Sequence, residues 1–344
     1  MDQPAGKKVQ LAAFGEFLLR LHSHQAKRFQ QTDAYTAYYA GAEANVCVLL
    51  ARLGMNVNYI SRVPDNDIAL AGIRQLKSHG VGTEHMIFGG DRLGLYFTES
   101  GNHIRSSRVI YDRSGASFSQ LQPGMINWKQ VLQNTDCFHW SGVAAALSVS
   151  AAEVCREALE AASELGLTIS GDFNYRSKLW QYGKHPKEIM PALLQYSTVA
   201  VADLDAVNIY YGIDTDKELP LEDRFRQTVQ QLQQKMPKLQ TLGMSFRKTV
   251  QQQTVYMAAL AHHGEYYFSE GYAIPHVTDQ IGTGDAFTAG ILYGLMQEMA
   301  PQNIINFATA CGVLKQSIAG DWAIISKQEI EEFIQTGVTG RIVR

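Results

Sequence analysis

The chain lacks any apolar run approaching the roughly 20 residues that a membrane-spanning helix needs, which excludes a membrane partner. Residues 1–8 are polar, and the apolar stretch 9–14 is too short for the core of a secretion signal. That stretch reads instead as the first strand of a cytoplasmic protein. An excess of basic charge is also missing: 30 Lys and Arg stand against 33 Asp and Glu, a formal net charge of -3. Phosphate backbones demand a basic surface, so nucleic acid is excluded as a main partner. Cysteine is scarce. Cys47, Cys137, Cys155 and Cys311 are scattered, with no C-x-x-C spacing and no histidine pattern beside them. They read as reduced, mostly buried thiols, not as a disulfide framework or a zinc site. There is no internal repeat and no disordered linker. A Rossmann start is excluded because 9–14 runs into Gly15-Glu16-Phe17 and not into a glycine-rich turn opening a helix.

What is present is 46% apolar residues in a chain of 344, enough for one large α/β domain or two modest ones. Short apolar or β-branched runs alternate with helical patterns. Strands are predicted over 57–63, 137–140, 167–172 and 198–202, and helices over 68–79, 151–165, 285–299 and 303–318. Gly80 and Gly166 follow two of these helices, where a glycine commonly ends the last turn. Over 224–235, Phe225, Val229 and Leu232 repeat at helical spacing. Alternation on this scale implies a mostly parallel sheet covered on both faces. Two segments break the pattern. Residues 17–36 and 93–113 alternate polar and apolar side chains around turn residues such as Gly94, Gly101 and Asn102. They are either surface hairpins or a small β lid over a site on the main sheet. The glutamines near Gln230 and Gln251 read as solvated faces.

The most informative stretch is Asp279-Gln280-Ile281-Gly282-Thr283-Gly284-Asp285-Ala286-Phe287. A glycine-rich turn opens directly into a helical pattern, so a ligand can approach the backbone closely. The free N–H groups at the helix start, with the helix dipole, favour an anion there. An acid in that place would repel a resting phosphate unless it had a task, such as taking a proton from an attacking hydroxyl. Phosphoryl transfer asks little of a protein beyond positioning and charge stabilisation. The plain alternative is that Asp285 only caps the helix. The stretch is not a Walker A loop, which needs a following Lys-Ser/Thr, nor a Rossmann G-x-G-x-x-G.

Residues 279–290 resemble the C-terminal signature of the ribokinase-like (PfkB) carbohydrate kinases, and Gly41-Ala42-Glu43-Ala44-Asn45-Val46 resembles their N-terminal one. Pro64-Asp65-Asn66-Asp67 and Gly72 fit the second strand–helix turn of that family, and the resemblance runs over about residues 8–335. It implies a three-layer α/β/α sandwich with a mostly parallel central sheet and a small β-sheet lid, one kinase domain over 1–344. It further implies ATP and magnesium, often with a monovalent cation such as potassium, and a homo-oligomer. Asp285 would be the catalytic base, and the amides of Gly282, Thr283, Gly284 and Asp285 the anion hole. The sequence departs from the family in two places. Gln280 stands where Thr or Pro is usual, and the N-x-x-E motif tied to magnesium and phosphate has Ala202-Asp203-Leu204-Asp205 as its counterpart. Asp205 would hold magnesium through water, or else cap the following helix.

Three segments bear on the acceptor. Gly94-Leu95-Tyr96-Phe97 and Tyr111-Asp112-Arg113 fall on the lid-like strands, and Asp172-Phe173-Asn174-Tyr175-Arg176 follows a predicted buried strand. Ligand residues in α/β sheets lie at such strand ends. Two arginines suit a carboxylate, which guanidinium forks grip at two points; either arginine alone could also sit in a surface ion pair. The D-x-N-Y-R-x-x-L-W pattern, with G-L-Y-F and Y-x-R, resembles the 2-keto-3-deoxygluconate kinase branch. That likeness implies Gly41, Tyr96, Tyr111, Arg113 and Arg176 as sugar-acid contacts and 2-dehydro-3-deoxy-D-gluconate as the acceptor, phosphorylated on its 6-hydroxyl. The alternatives are a fructokinase or another sugar kinase of the same family, and a protein of this fold that binds a sugar or nucleotide without transferring phosphate.

Overall fold

The first apolar run forms the strand Gln10–Phe14, and its side chains divide between two cores. Leu11 and Ala13 join one buried cluster, while Ala12 and Phe14 join the other. That division is the period-two alternation of a strand packed on both faces. The computed structural model describes residues 9–24, 27–101, 105–250 and 253–337. Six strands lie side by side in parallel, in the order Thr241–Val250, Val199–Val201, Thr168–Asp172, Cys137–Ser141, Gln10–Phe14 and Asn56–Ile60. Helices Ala42–Arg52, Thr283–Met296 and Pro301–Lys315 bury their apolar residues in the cluster with Leu11. Helices Val149–Glu164, Pro186–Leu194, Leu204–Tyr211 and Leu221–Lys235 do so in the cluster with Phe14. The result is the expected α/β/α sandwich.

The expected second sheet is present too. It has four strands in the order Tyr35–Ala40, Leu18–Ser23, Gly94–Glu99 and Arg108–Asp112. The outer pairs are antiparallel, as expected, but Leu18–Ser23 and Gly94–Glu99 pair in parallel, joining the two segments into one sheet. Gly101 follows its third strand, while Asn102 lies outside the described residues. Other expectations need correction. The strand expected over 57–63 divides at Ser61: Asn56–Ile60 stays in the main sheet and Arg62–Val63 pairs with Ile87–Phe88. The buried Ser61 hydroxyl accepts the Phe17 amide at 3.2 Å, so the chain turns aside there toward the base of the lid. The antiparallel edge formed by Gln253–His262, Glu265–Phe268 and Tyr272–Ile274 is an addition to the sequence reading. Gln230 is exposed, as expected, and Gln251 lies outside the described residues. The four cysteines are free and buried.

Candidate active site

The C-terminal ends of the parallel strands, two helix openings and the small sheet together enclose a cavity of about 600 Å³. Gly41 opens the helix Ala42–Arg52 with φ 154°, and a Cβ on it would lie 2.5 Å from the carbonyl oxygen of Glu16. Only glycine lets the segment that leads into the lid strand pass the helix so closely. Gly282 opens the helix Thr283–Met296 in the left-handed region, φ 83°, and a Cβ there would lie 2.1 Å from the carbonyl oxygen of Asp321. The first intrahelical bond runs from the Ala286 amide to the Gly282 carbonyl at 2.9 Å. The amides of Gly284 and Asp285 therefore precede the hydrogen-bond ladder, at the positive end of the dipole.

Asp285 is not the cap. Gly282 holds that position, and Asp285 is the third residue of the helix, lining the cavity. Its carboxylate accepts the Asn45 side-chain amide at 2.6 Å. Desolvation raises its pKa to about 6, against the lowering effects of the Asn45 hydrogen bond and the Arg176 charge. A second carboxyl, Asp172, ends the strand Thr168–Asp172 and is buried. Burial, with the nearby Asp285 charge, pushes it up to about 8. It accepts the Asn174 amide at 3.1 Å and the Thr288 hydroxyl at 3.3 Å. Asn174 itself takes a left-handed φ of 38°, which asparagine tolerates better than most residues. This turn directs the chain to Arg176.

The two arginines differ. Arg176 is exposed, lines the cavity and makes, among the described residues, only a 3.5 Å contact to the carbonyl of Tyr175. Arg113 also lines the cavity but is buried and ion-paired, its Nε 2.6 Å from Glu16 Oε2. Tyr96 is committed inward as well, its hydroxyl donating to Asp321. Behind it a buried group ties the lid to the loops beside two helices: Arg20 reaches Asp279, ahead of Thr283–Met296, at 2.8 Å and Asp321, beyond Pro301–Lys315, at 3.0 Å. Tyr111 packs 6.2 Å from the Tyr96 ring.

Gly41, Tyr96, Tyr111, Arg113, Arg176, Gly282, Thr283, Gly284 and Asp285 all line the one cavity. Asp205 does not. It is exposed in the first turn of Leu204–Tyr211, and the cap is Asp203, which accepts the Ala206 amide at 2.7 Å and lines the cavity. The expected capping role of Asp205 is thus corrected by two residues, because the strand ends at Val201 and leaves 203 at the turn. The sequence reading also passed over Asn45, Asp172, Asp321 and Arg247. The first two stood inside the quoted motifs. Arg247 carried no local signal; it comes from a long strand and donates to the Gln280 side chain at 2.6 Å. Among the described residues no group of three or more His, Cys, Asp or Glu is placed to hold a metal ion.

Comparison with known proteins gives the same answer from three directions. The family profile described as pfkB family carbohydrate kinase matches residues 8–321. A 2-dehydro-3-deoxygalactonokinase of Haloferax volcanii is 28% identical, over 96% of this chain and 98% of that one. A 5-dehydro-2-deoxygluconokinase of Geobacillus kaustophilus is 27% identical, over 98% and 97%. The crystal structure of a 2-dehydro-3-deoxygluconokinase of Thermotoga maritima superimposes with a TM-score of 0.90 at 30% identity, covering 96% of this chain and 99% of that one. With its sandwich, its lid and a profile match over nearly its whole length, the chain belongs to the pfkB family of carbohydrate kinases and is an ATP-dependent phosphotransferase with an alcohol group as acceptor.

Proposed function

We propose that the enzyme transfers the γ-phosphoryl group of ATP to the 6-hydroxyl of 2-dehydro-3-deoxy-D-gluconate or a close sugar acid, with Asp285 as the general base. The observation that carries this reading is the position of Asp285. It is a half-buried carboxyl, held by Asn45, with a pKa near 6, beside the open amides of a helix start. In the reaction the sugar oxygen bonds to the γ-phosphorus as the bond to the β,γ-bridging oxygen breaks. The hydroxyl proton passes to Asp285, and ADP leaves. The amides of Gly282, Gly284 and Asp285 would receive the charge that builds on the phosphoryl oxygens, whereas the Thr283 amide, expected to join them, donates to the Gln280 carbonyl at 3.3 Å. Arg247 lines the same cavity beside Gln280 and would add a fixed positive charge for the nucleotide phosphates.

Magnesium would neutralise those phosphates. It typically needs only one or two carboxylates once the nucleotide supplies oxygens. Asp203, exposed at the cavity wall, fits that need, and Asp205 in the same helix turn would act through water.

A sugar acid is favoured over a neutral sugar by Arg176, an exposed guanidinium facing a cavity that holds Asp172 and Asp285. The names of the similar proteins agree, each being a kinase of a keto-deoxy sugar acid. The test is ADP release across a panel: 2-dehydro-3-deoxygluconate, its galactonate epimer, 5-dehydro-2-deoxygluconate, fructose and ribose. The acids are expected to exceed the neutral sugars by at least about tenfold in kcat/KM, as one charge-assisted contact would give. A preference for fructose would put the fructokinase reading ahead. Asp285→Asn is expected to lower kcat by about 10²–10⁴-fold, the usual effect of losing a general base. A variant within about tenfold of wild type would remove Asp285 from that role.

A further inference from the structure

Lys315 is the last residue of the helix Pro301–Lys315, and it is fully buried. Its side chain runs beneath the anion-receiving turn, with Cε 3.3 Å from where a Cβ on Gly282 would stand. Its Nζ donates to the carbonyl of Ile318 at 3.0 Å and to that of Asp279 at 3.3 Å. These carbonyls belong to the two segments that frame the turn, which are also joined by the Thr278 amide to the Gln316 carbonyl at 2.8 Å and the Gly320 amide to the Asp279 carboxylate at 3.2 Å. Burial lowers the pKa of Lys315, and the carboxylates of Asp279, Asp321 and Asp285 act against that in favour of the ammonium, with Arg20 the other cation among them. With Lys315 the group has three negative and two positive charges. Without it, three would face one, around amides that must accept a phosphoryl group.

A bound monovalent cation is expected from the family resemblance, and this place does not fit one. The converging carbonyl oxygens are already engaged by an ammonium, and a second cation would meet its charge. We propose that Lys315 is a built-in monovalent cation, a positioning residue that holds the Gly282–Asp285 turn in shape and offsets the carboxylates around it, so that the enzyme works without potassium. The inference rests on the reading of that turn as the anion hole.

The first test leaves the protein unaltered. Wild-type turnover is measured in a buffer whose only cation besides magnesium is tetramethylammonium, then with potassium, ammonium or sodium at constant ionic strength. Rates within about twofold support the proposal, and activation by potassium of about tenfold or more overturns it. The second test uses Lys315→Ala, which leaves room for a small cation, and Lys315→Met, which fills the room without charge. Lys315→Ala is expected to lose about 10²-fold in kcat, the scale of a damaged oxyanion site, with KM for the sugar acid little changed. Ammonium or potassium should restore at least about tenfold of that loss and raise its Tm, with no such shift in wild type or Lys315→Met. Full kcat in Lys315→Ala, or a loss that none of the three cations restores, overturns the proposal. If Lys315→Ala does not fold, the wild-type series decides. An active Asp285→Asn would instead discard the base assignment, whatever the cation series shows.

Discussion

Two of the carboxyls facing the cavity, those of Asp285 and Asp172, hold different charges near neutral pH. Asp285, with its pKa raised to about 6, is mostly ionised there, while Asp172, raised to about 8, keeps its proton. A base must be deprotonated to act, so kcat/KM should fall by about tenfold per pH unit once the pH drops below the Asp285 value. A pH–rate profile flat down to about pH 5 would contradict that assignment. Asp172 has a consequence for stability instead. Its folded pKa lies above its unfolded one, so the folded protein binds this proton more tightly. The stabilisation is therefore present at low pH and lost as pH rises toward about 8. Asp172→Asn should raise Tm at pH 9 more than at pH 4, since the amide keeps an acceptor for the Asn174 amide and removes the buried charge. An equal shift at both pH values would mean that Asp172 is not buried against its charge. The arginines should also separate. Arg113→Ala leaves Glu16 buried without its partner and should cost about 3–5 kcal/mol of stability, seen as a large fall in Tm. Arg176→Ala should leave Tm nearly unchanged and raise KM for the sugar acid about tenfold or more. Both arginines were legible in the sequence as cavity residues. Their difference was not, because the partner of Arg113 is Glu16, which lies far away in the chain and carries no motif.

The turn and helix at 279–296 are the most sequence-determined element, and the reason is steric. Gly282 has φ 83° and no room for a Cβ against the Asp321 carbonyl. Gly282→Ala should therefore displace the turn and lower kcat by about 10²-fold or more, whereas Gly284→Ala, with nothing within 4 Å of the added Cβ, should fold normally. Equal activity of Gly282→Ala and wild type would mean that the turn does not shape the site. Elements with a strong internal period were equally legible. Asn66 caps the helix Asp67–Ser78 through the Ala69 amide at 3.0 Å, within one residue of the reading from sequence. Elements defined by pairing were not. The parallel pairing of Leu18–Ser23 with Gly94–Glu99, and the departure of Arg62–Val63 from the main sheet, depend on partners distant in the chain. Gln253–His262 buries a run of consecutive residues, Ala258 to Ala261, where an alternating pattern would have marked a half-exposed strand.

Across the whole molecule, the lid is joined unevenly to the loops around the cavity, and a closing motion should follow that unevenness. The central lid strand Leu18–Ser23 is fixed by Arg20, buried between Asp279 and Asp321 on the far side of the site. The outer strand Arg108–Asp112 alternates exposed and half-buried residues, and Lys178 donates to its Val109 carbonyl at 2.8 Å from an exposed position. Val109 and Tyr111 on that strand line the cavity. A substrate lying between Tyr111 and Arg176 would draw the outer edge inward while the Arg20 strand stays in place. Closure of this kind would keep water from the phosphoryl group during transfer. Hydrogen exchange on the whole enzyme, with and without the sugar acid, separates the two strands. Protection should rise over residues 105–112 and stay nearly constant over 18–23, since a buried ion-paired strand opens rarely in either state. Lys178→Ala should speed exchange of the outer strand in the free enzyme and leave the bound enzyme protected. Equal gains in both strands would mean that the lid moves as one rigid body about its connections. No change over 94–112 would mean that the cavity is already in its working shape, and that water is kept out by the substrate alone.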